Sequence, residues 1–121
     1  MNIIRVGWQT GTHTAAEAFS KPLVAFQTSA RKDGKLGSAF SAAALNTENA
    51  LLRAFKKSED GSGYIVRVGE AAGQAQKAVT FSVYRAIAGA TLCTADERPI
   101  QAIEIKNGQL TFDLKPFEVK T

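Results

Sequence analysis

The sequence predicts an all-β fold, an antiparallel β-sandwich of about eight to ten short strands with room for one short helix. Three observations carry that prediction. Asn107-Gly108 stands between two alternating segments, residues 103–105 and 109–114, and Asn-Gly is the strongest short-range hairpin signal because both residues accept positive φ. Residues 50–57 and 64–68 are apolar-alternating segments joined by a polar, glycine-bearing turn, a second hairpin signature. Turn signals then recur along the chain at the spacing of a sandwich or barrel.

Taken in order, residues 2–8 (NIIRVGW) alternate well enough for an opening or edge strand. Residues 9–20 are polar and small and read as a loop or short helical turn. Pro22 opens the apolar run Leu23-Val24-Ala25-Phe26-Gln27, and a first residue is where a strand tolerates proline. Residues 31–37 are a turn by composition. Residues 38–45 (SAFSAAAL) are ambiguous, since alanine favours helix but the segment is short. Residues 50–57 could also present Leu51, Leu52 and Phe55 on one helix face. The β-branched and aromatic run Tyr64-Ile65-Val66-Arg67-Val68 beyond the glycine turn decides for a hairpin.

Residues 70–76 read as a turn, with a short helix left open by their alanines. Residues 77–84 alternate Val79, Phe81 and Val83 against Ala78, Thr80, Ser82 and Tyr84. Residues 87–93 are a further apolar segment that residues 95–99 break, and Pro116 sets off a last short strand, 117–120. No repeat, low-complexity tract or linker divides the sequence, so residues 1–121 read as one domain.

Composition narrows the function classes. A single cysteine, Cys93, cannot form an internal disulfide. No apolar stretch reaches the length of a membrane span, and the first residues lack a basic region followed by an apolar core, so no secretory signal is visible. These features leave localisation open. The net charge of +4 is modest, and its densest patches, at residues 31–35 and at Lys56-Lys57, are not interleaved with aromatics as in a nucleic-acid binder. Neither nucleic acid nor membrane is an expected partner.

The groups that could carry chemistry each have a plain reading. A lone His13 and a lone Cys93 offer no zinc-ligand spacing. Glycoside hydrolysis needs two carboxylates across the scissile bond, and Glu59-Asp60, Asp96-Glu97 and Glu118 are the candidates. Adjacent acids in glycine turns more often cap the turn. Gly61-Ser62-Gly63 lacks the lysine and following helix of a phosphate loop. Trp8 and Tyr64 could form a sugar-stacking platform, although single aromatics in strands are more often packing residues.

Two strings are more specific than a hairpin requires: NTENALLRAFKKSEDGSGYIVRVGE at residues 46–70 and LKPFEVKT at residues 114–121. With them the sequence resembles the carboxyl-terminal β-domain of glycoside hydrolase family 38 α-mannosidases, over about residues 15–121. The markers of the first string are Lys56, Lys57, Glu59, Asp60, Gly61, Gly63, Arg67 and Glu70. Those of the second are Pro116, Phe117 and Glu118. Ser20, Lys21, Ser62 and Gly69 depart from the family's usual residues.

The resemblance implies retaining α-mannosidases of mannose metabolism, whose zinc ion and aspartate nucleophile lie in an amino-terminal α/β catalytic domain. None of those motifs stands in this sequence, so the expectation is no catalytic residue, no metal ligand and no cofactor in these residues. The implied role is support of the parent's catalytic domain, with carbohydrate as a further partner and self-association through an exposed apolar patch. The alternative is a free-standing carbohydrate-binding or protein-interaction module.

Overall fold

The computed structural model describes residues 12–121. The opening strand expected at residues 2–8, and Trp8 with it, lie outside the described residues. The chain divides between Ser41 and Ala42 into two units, and every strand among the described residues falls in the second.

In the first unit, helix α1 (Thr12–Ser20) forms within residues 9–20, the segment whose composition reads as a loop or short helical turn. Ala15, Ala16 and Ala18 supply strong helix formers. Glu17 pairs with Lys21 at 2.8 Å, and the Lys21 N–H donates to the Glu17 carbonyl at 2.8 Å. Pro22 then stops the helix, because the residue before a proline is driven out of the helical region. The strand expected at residues 23–27 does not form. Leu23, Val24 and Phe26 are 102%, 84% and 85% exposed. A run of β-formers becomes a strand only when a neighbour pairs with it, and the turn at residues 31–37 leads to no second strand before Ala43.

In the second unit, nine strands among the described residues form three antiparallel sheets. β1 (Ala43–Leu45), β4 (Gln76–Val83), β8 (Gln109–Leu114) and β7 (Ile105–Lys106) make a sheet in the order β1-β4-β8-β7. β2 (Ala50–Lys57), β3 (Tyr64–Glu70) and β9 (Val119–Lys120) make a second in sequence order, and β5 (Thr91–Cys93) pairs with β6 (Pro99–Ala102) as a ribbon. The fold is the expected all-β sandwich with one short helix.

The hairpins sit where the turn chemistry places them. Asn107 and Gly108 adopt φ of 52° and 71° between β7 and β8, and two successive positive φ values match the right-handed strand twist. β2 and β3 pair from Ala50 opposite Glu70 to Lys57 opposite Tyr64, with a bulge at Arg53. Only β5 forms within the apolar segment 87–93; residues 85–90 pass outside the strands.

The two larger sheets face one another through a small core. Ala50, Val68, Val79 and Leu114 pack together, with Leu45, Leu52, Val66 and Phe112 against them. Phe81 is also fully buried. Each such large side chain contributes about 1.5–3 kcal/mol by burial. The β4–β8 ladder breaks between Gln76 and Val79, where Ala78 takes a positive φ of 51°. Two side chains bond the backbone around this break. Asn46 donates to the Ala78 carbonyl at 3.1 Å and accepts from the Thr80 N–H at 2.7 Å. Asp113 accepts from the Ala78 N–H at 3.0 Å and from the Lys77 ammonium at 2.7 Å.

Candidate functional site

The two distinctive strings, 44 residues apart in sequence at their nearest ends, meet at one buried carboxylate. Glu70 closes β3 and is 4% exposed. Its Oε1 accepts the Ala72 N–H at 2.7 Å, and its Oε2 accepts the N–H groups of Gly73 at 2.9 Å and Phe117 at 2.8 Å. The Glu70 N–H itself donates to the Glu118 carbonyl at 2.8 Å. Burial pushes the Glu70 carboxyl up, but the backbone N–H groups of Phe117, Ala72, Gln74 and Gly73 together outweigh it, so the group rests below its ordinary value.

The Lys115–Glu118 turn is closed on both sides. The Glu118 N–H donates to the Lys115 carbonyl at 3.0 Å, and the Glu118 carboxylate accepts the Lys115 N–H at 2.7 Å. Phe117 sits at φ 59°, a left-handed conformation costly for a bulky residue. The bond it donates to Glu70 holds it there.

The other marker residues tie the β5–β6 ribbon to the β2–β3 hairpin. Lys56 pairs with Glu97 at 2.6 Å, and the second Glu97 oxygen accepts the Glu59 N–H at 3.0 Å. The Lys56 ammonium, then the Glu59 N–H, hold the Glu97 carboxyl below its ordinary value. Arg67 donates from Nη2 to the Ala95 carbonyl at 2.8 Å and from Nε to the Thr121 hydroxyl at 3.1 Å. Within the β2–β3 turn, Asp60 accepts the Ser62 N–H at 2.9 Å and the Ser62 hydroxyl, and these bonds with Ser58 hold it down to about 2. Gly61 has the positive φ, 74°, that the turn requires. A Cβ at Gly63 would meet nothing within 4 Å, and nothing in the structure explains that glycine. Lys57 ends β2 as an exposed residue, and Pro116 is exposed in the β8–β9 turn.

Of the candidate carboxylates, Asp60, Asp96 and Glu118 are thus engaged within their own turns, while Glu97 reaches across to the β2–β3 hairpin. Asp96 accepts from Thr94 and Arg98 inside the β5–β6 turn, which lowers its titration. Sequence reasoning missed the reach of Glu97 and Arg67, and missed Asn46 and Asp113 at the bulge. Each of these links residues far apart in the chain, a relation that no local pattern encodes. Among the described residues, no group of three or more His, Cys, Asp or Glu is placed to hold a metal ion, and no helix is long and apolar enough to cross a membrane.

The second feature is a cavity of about 570 Å³ between the two larger sheets and the ribbon. Phe55, Val66, Phe81, Leu110 and Phe112 supply apolar wall, and Tyr64, Tyr84 and Arg85 also line it. The Phe55 ring stands edge-on to Phe81 at 6.1 Å and tilted to Tyr64 at 5.7 Å. Tyr64 is 67% exposed, so the tyrosine singled out for sugar stacking reaches from the cavity to solvent.

Residues 49–121 match the model of the glycosyl hydrolases family 38 C-terminal beta sandwich domain. The chain belongs to that family. No curated protein and no solved structure matches it. The matched range of the family 38 sandwich starts one residue before β2. It takes in the Glu70 junction, both turns of the ribbon contact and every residue lining the cavity. The likeness read in residues 15–48 lies outside that range.

Proposed function

We propose that this chain is the non-catalytic carboxyl-terminal sandwich of an α-mannosidase-like glycosyl hydrolase and that it supports the parent's catalytic domain. One observation carries the reading: the markers whose side chains form hydrogen bonds or ion pairs bind the sandwich to itself. Glu70 and Glu118 grip backbone N–H groups, Lys56 and Arg67 grip the ribbon, and Asp60 grips its own turn. A carboxylate saturated by backbone donors stays ionised and has no proton to deliver, whereas an acid catalyst needs a raised pKa. The exposed Leu23, Val24 and Phe26 supply apolar area of the kind that a partner domain covers.

The test has two arms. The purified chain, with zinc added, is assayed on an aryl α-mannoside, and no turnover above a blank is expected. It is then mixed with the catalytic domain of a family 38 α-mannosidase lacking its own sandwich, where co-elution and a raised melting temperature are expected. Turnover that survives rigorous purification overturns the non-catalytic reading. A catalytic domain indifferent to the chain overturns the supporting one.

A second reading, direct contact with carbohydrate, draws on the exposed Tyr64 beside Phe55. Calorimetric titration with a methyl α-mannoside separates it, since this reading requires binding that Tyr64→Ala removes.

A further inference from the structure

We infer that the cavity between the sheets is a binding site for a small amphipathic anion, with an apolar chain lying between the sheets and a carboxylate-type head at Arg85. Three observations lead there. The first is size and wall chemistry. Sandwich interiors are normally filled by interdigitating side chains, yet here about 570 Å³ stands between the inner faces. That volume lies within the range of about 300–1,000 Å³ found for small-molecule pockets. It is roughly four times that of an apolar cavity able to hold one benzene. Phe55, Val66, Phe81 and Phe112 offer water few partners, so an apolar occupant is favoured over a pool of solvent.

The second observation is charge. Among the described residues no Asp or Glu lines the cavity, whereas Arg85 and Lys120 both do. The Lys120 ammonium already donates to the Asp113 carbonyl at 2.8 Å and lies 3.9 Å from Glu118. Arg85 differs. Its guanidinium lies 5.3 Å from the Tyr84 ring centroid and makes no ion pair among the described residues. Stacking on a tyrosine orients the planar fork while leaving its N–H donors free, which suits a planar carboxylate.

The third is arrangement. Tyr84 and Arg85 are exposed, while Phe81 is buried and Val66, Leu110 and Phe112 are half-buried. An occupant entering beside Arg85 therefore meets a cation at the surface and apolar rings within. That order selects a ligand with a charged end and an apolar body, and disfavours a uniformly polar one. This inference stands apart from the supporting role proposed above, because it concerns only the interior of the sandwich.

The test is calorimetric titration of the full chain with octanoate, decanoate and dodecanoate, each kept below its micelle concentration. One ligand per chain is expected. Each added methylene should tighten binding roughly fourfold until the cavity is filled. Dodecyltrimethylammonium, with the same chain and the opposite charge, should bind more weakly than dodecanoate. Arg85→Gln, at an exposed position, should weaken dodecanoate about threefold to fivefold and remove most of the salt dependence. Leu110→Trp, which adds bulk to the wall, should weaken it at least roughly tenfold, with the melting curve checked for folding. Should Leu110→Trp not fold, Arg85→Gln and the chain-length series still decide. Absence of saturable binding, affinity flat with chain length, or affinity unchanged in Arg85→Gln overturns the inference.

Discussion

Leu23-Val24-Ala25-Phe26 and Tyr64-Ile65-Val66-Arg67-Val68 are both short apolar runs with strand-forming residues, yet they end in opposite states. The first forms no strand, and its large side chains stand in solvent. The second becomes β3, paired on one side with β2 and on the other with β9, with Val68 only 2% exposed. Intrinsic preference does not separate them. What separates them is the chain that follows: a glycine turn returns Tyr64 to face Lys57, while residues 31–37 deliver no partner. β-propensity measures fit to a pleated neighbour more than a preference of the backbone alone.

The comparison breaks most visibly at the core of the paired region. Phe81 on β4 is 1% exposed and touches Phe55 edge-on. Phe81→Ala should lower the unfolding free energy by about 3–5 kcal/mol, measured by denaturant titration of the intact chain. A loss below about 1 kcal/mol would mean that the sheets are not held by this interior.

Next in size is the buried carboxylate. Glu70→Gln keeps the shape and one acceptor but sets an amide NH₂ against backbone N–H groups, so a loss of about 1.5–3 kcal/mol is expected. The pH dependence carries a sharper signature. Glu70 titrates below its ordinary 4.5 when folded, so its stabilisation is complete above the unfolded value. It is lost as pH falls through the lower folded value. Asp60, Asp96, Glu97 and Asp113 are shifted the same way. Glu70→Gln should therefore flatten the acid limb of the stability curve without abolishing it. An acid limb identical to the unsubstituted chain's would remove Glu70 from that account.

Much of the paired region was legible in the sequence, and for a physical reason. Asn107-Gly108 and the glycine turn at residues 58–63 are local devices whose conformations follow from their own residues. The alternation of Val79, Phe81 and Val83 against Ala78, Thr80 and Ser82 is equally local, and Val79 and Phe81 prove to be buried. No strand forms at residues 23–27 because an apolar run reports capacity for a strand and says nothing about the presence of a neighbour. The Glu70 junction was half legible. Its two strings were distinctive enough to mark the family, but that Glu70 receives the Phe117 N–H 47 residues away is a tertiary fact. The cavity was not legible at all, since the same apolar residues would have served a filled interior.

A smaller effect is expected where a side chain at the end of β1 holds the β4 backbone around its bulge. Asn46→Ala removes one bond donated to Ala78 and one accepted from Thr80. The site is exposed, so water replaces both partners, and the cost should be about 1 kcal/mol. Amide hydrogen exchange offers the local check: the Thr80 N–H should lose protection while the Val68 N–H keeps it. Equal loss at both would show that the bulge and the core open together.

The smallest effect belongs to the unpaired run. Leu23→Ser combined with Phe26→Ser changes two large apolar side chains that are 102% and 85% exposed. Replacing groups already in water removes little burial, so the change in unfolding free energy should stay within about 0.5 kcal/mol. Solubility should rise, because exposed apolar side chains promote association. Against the loss at Phe81, this near-zero value measures the worth of a partner strand rather than of the residues themselves. The same double substitution acquires a large effect only when something covers the run. Repeating the melt in the presence of a family 38 catalytic domain therefore turns the comparison into a binding assay: a shift seen with the unsubstituted chain and missing from the variant locates the covered surface at residues 23–26.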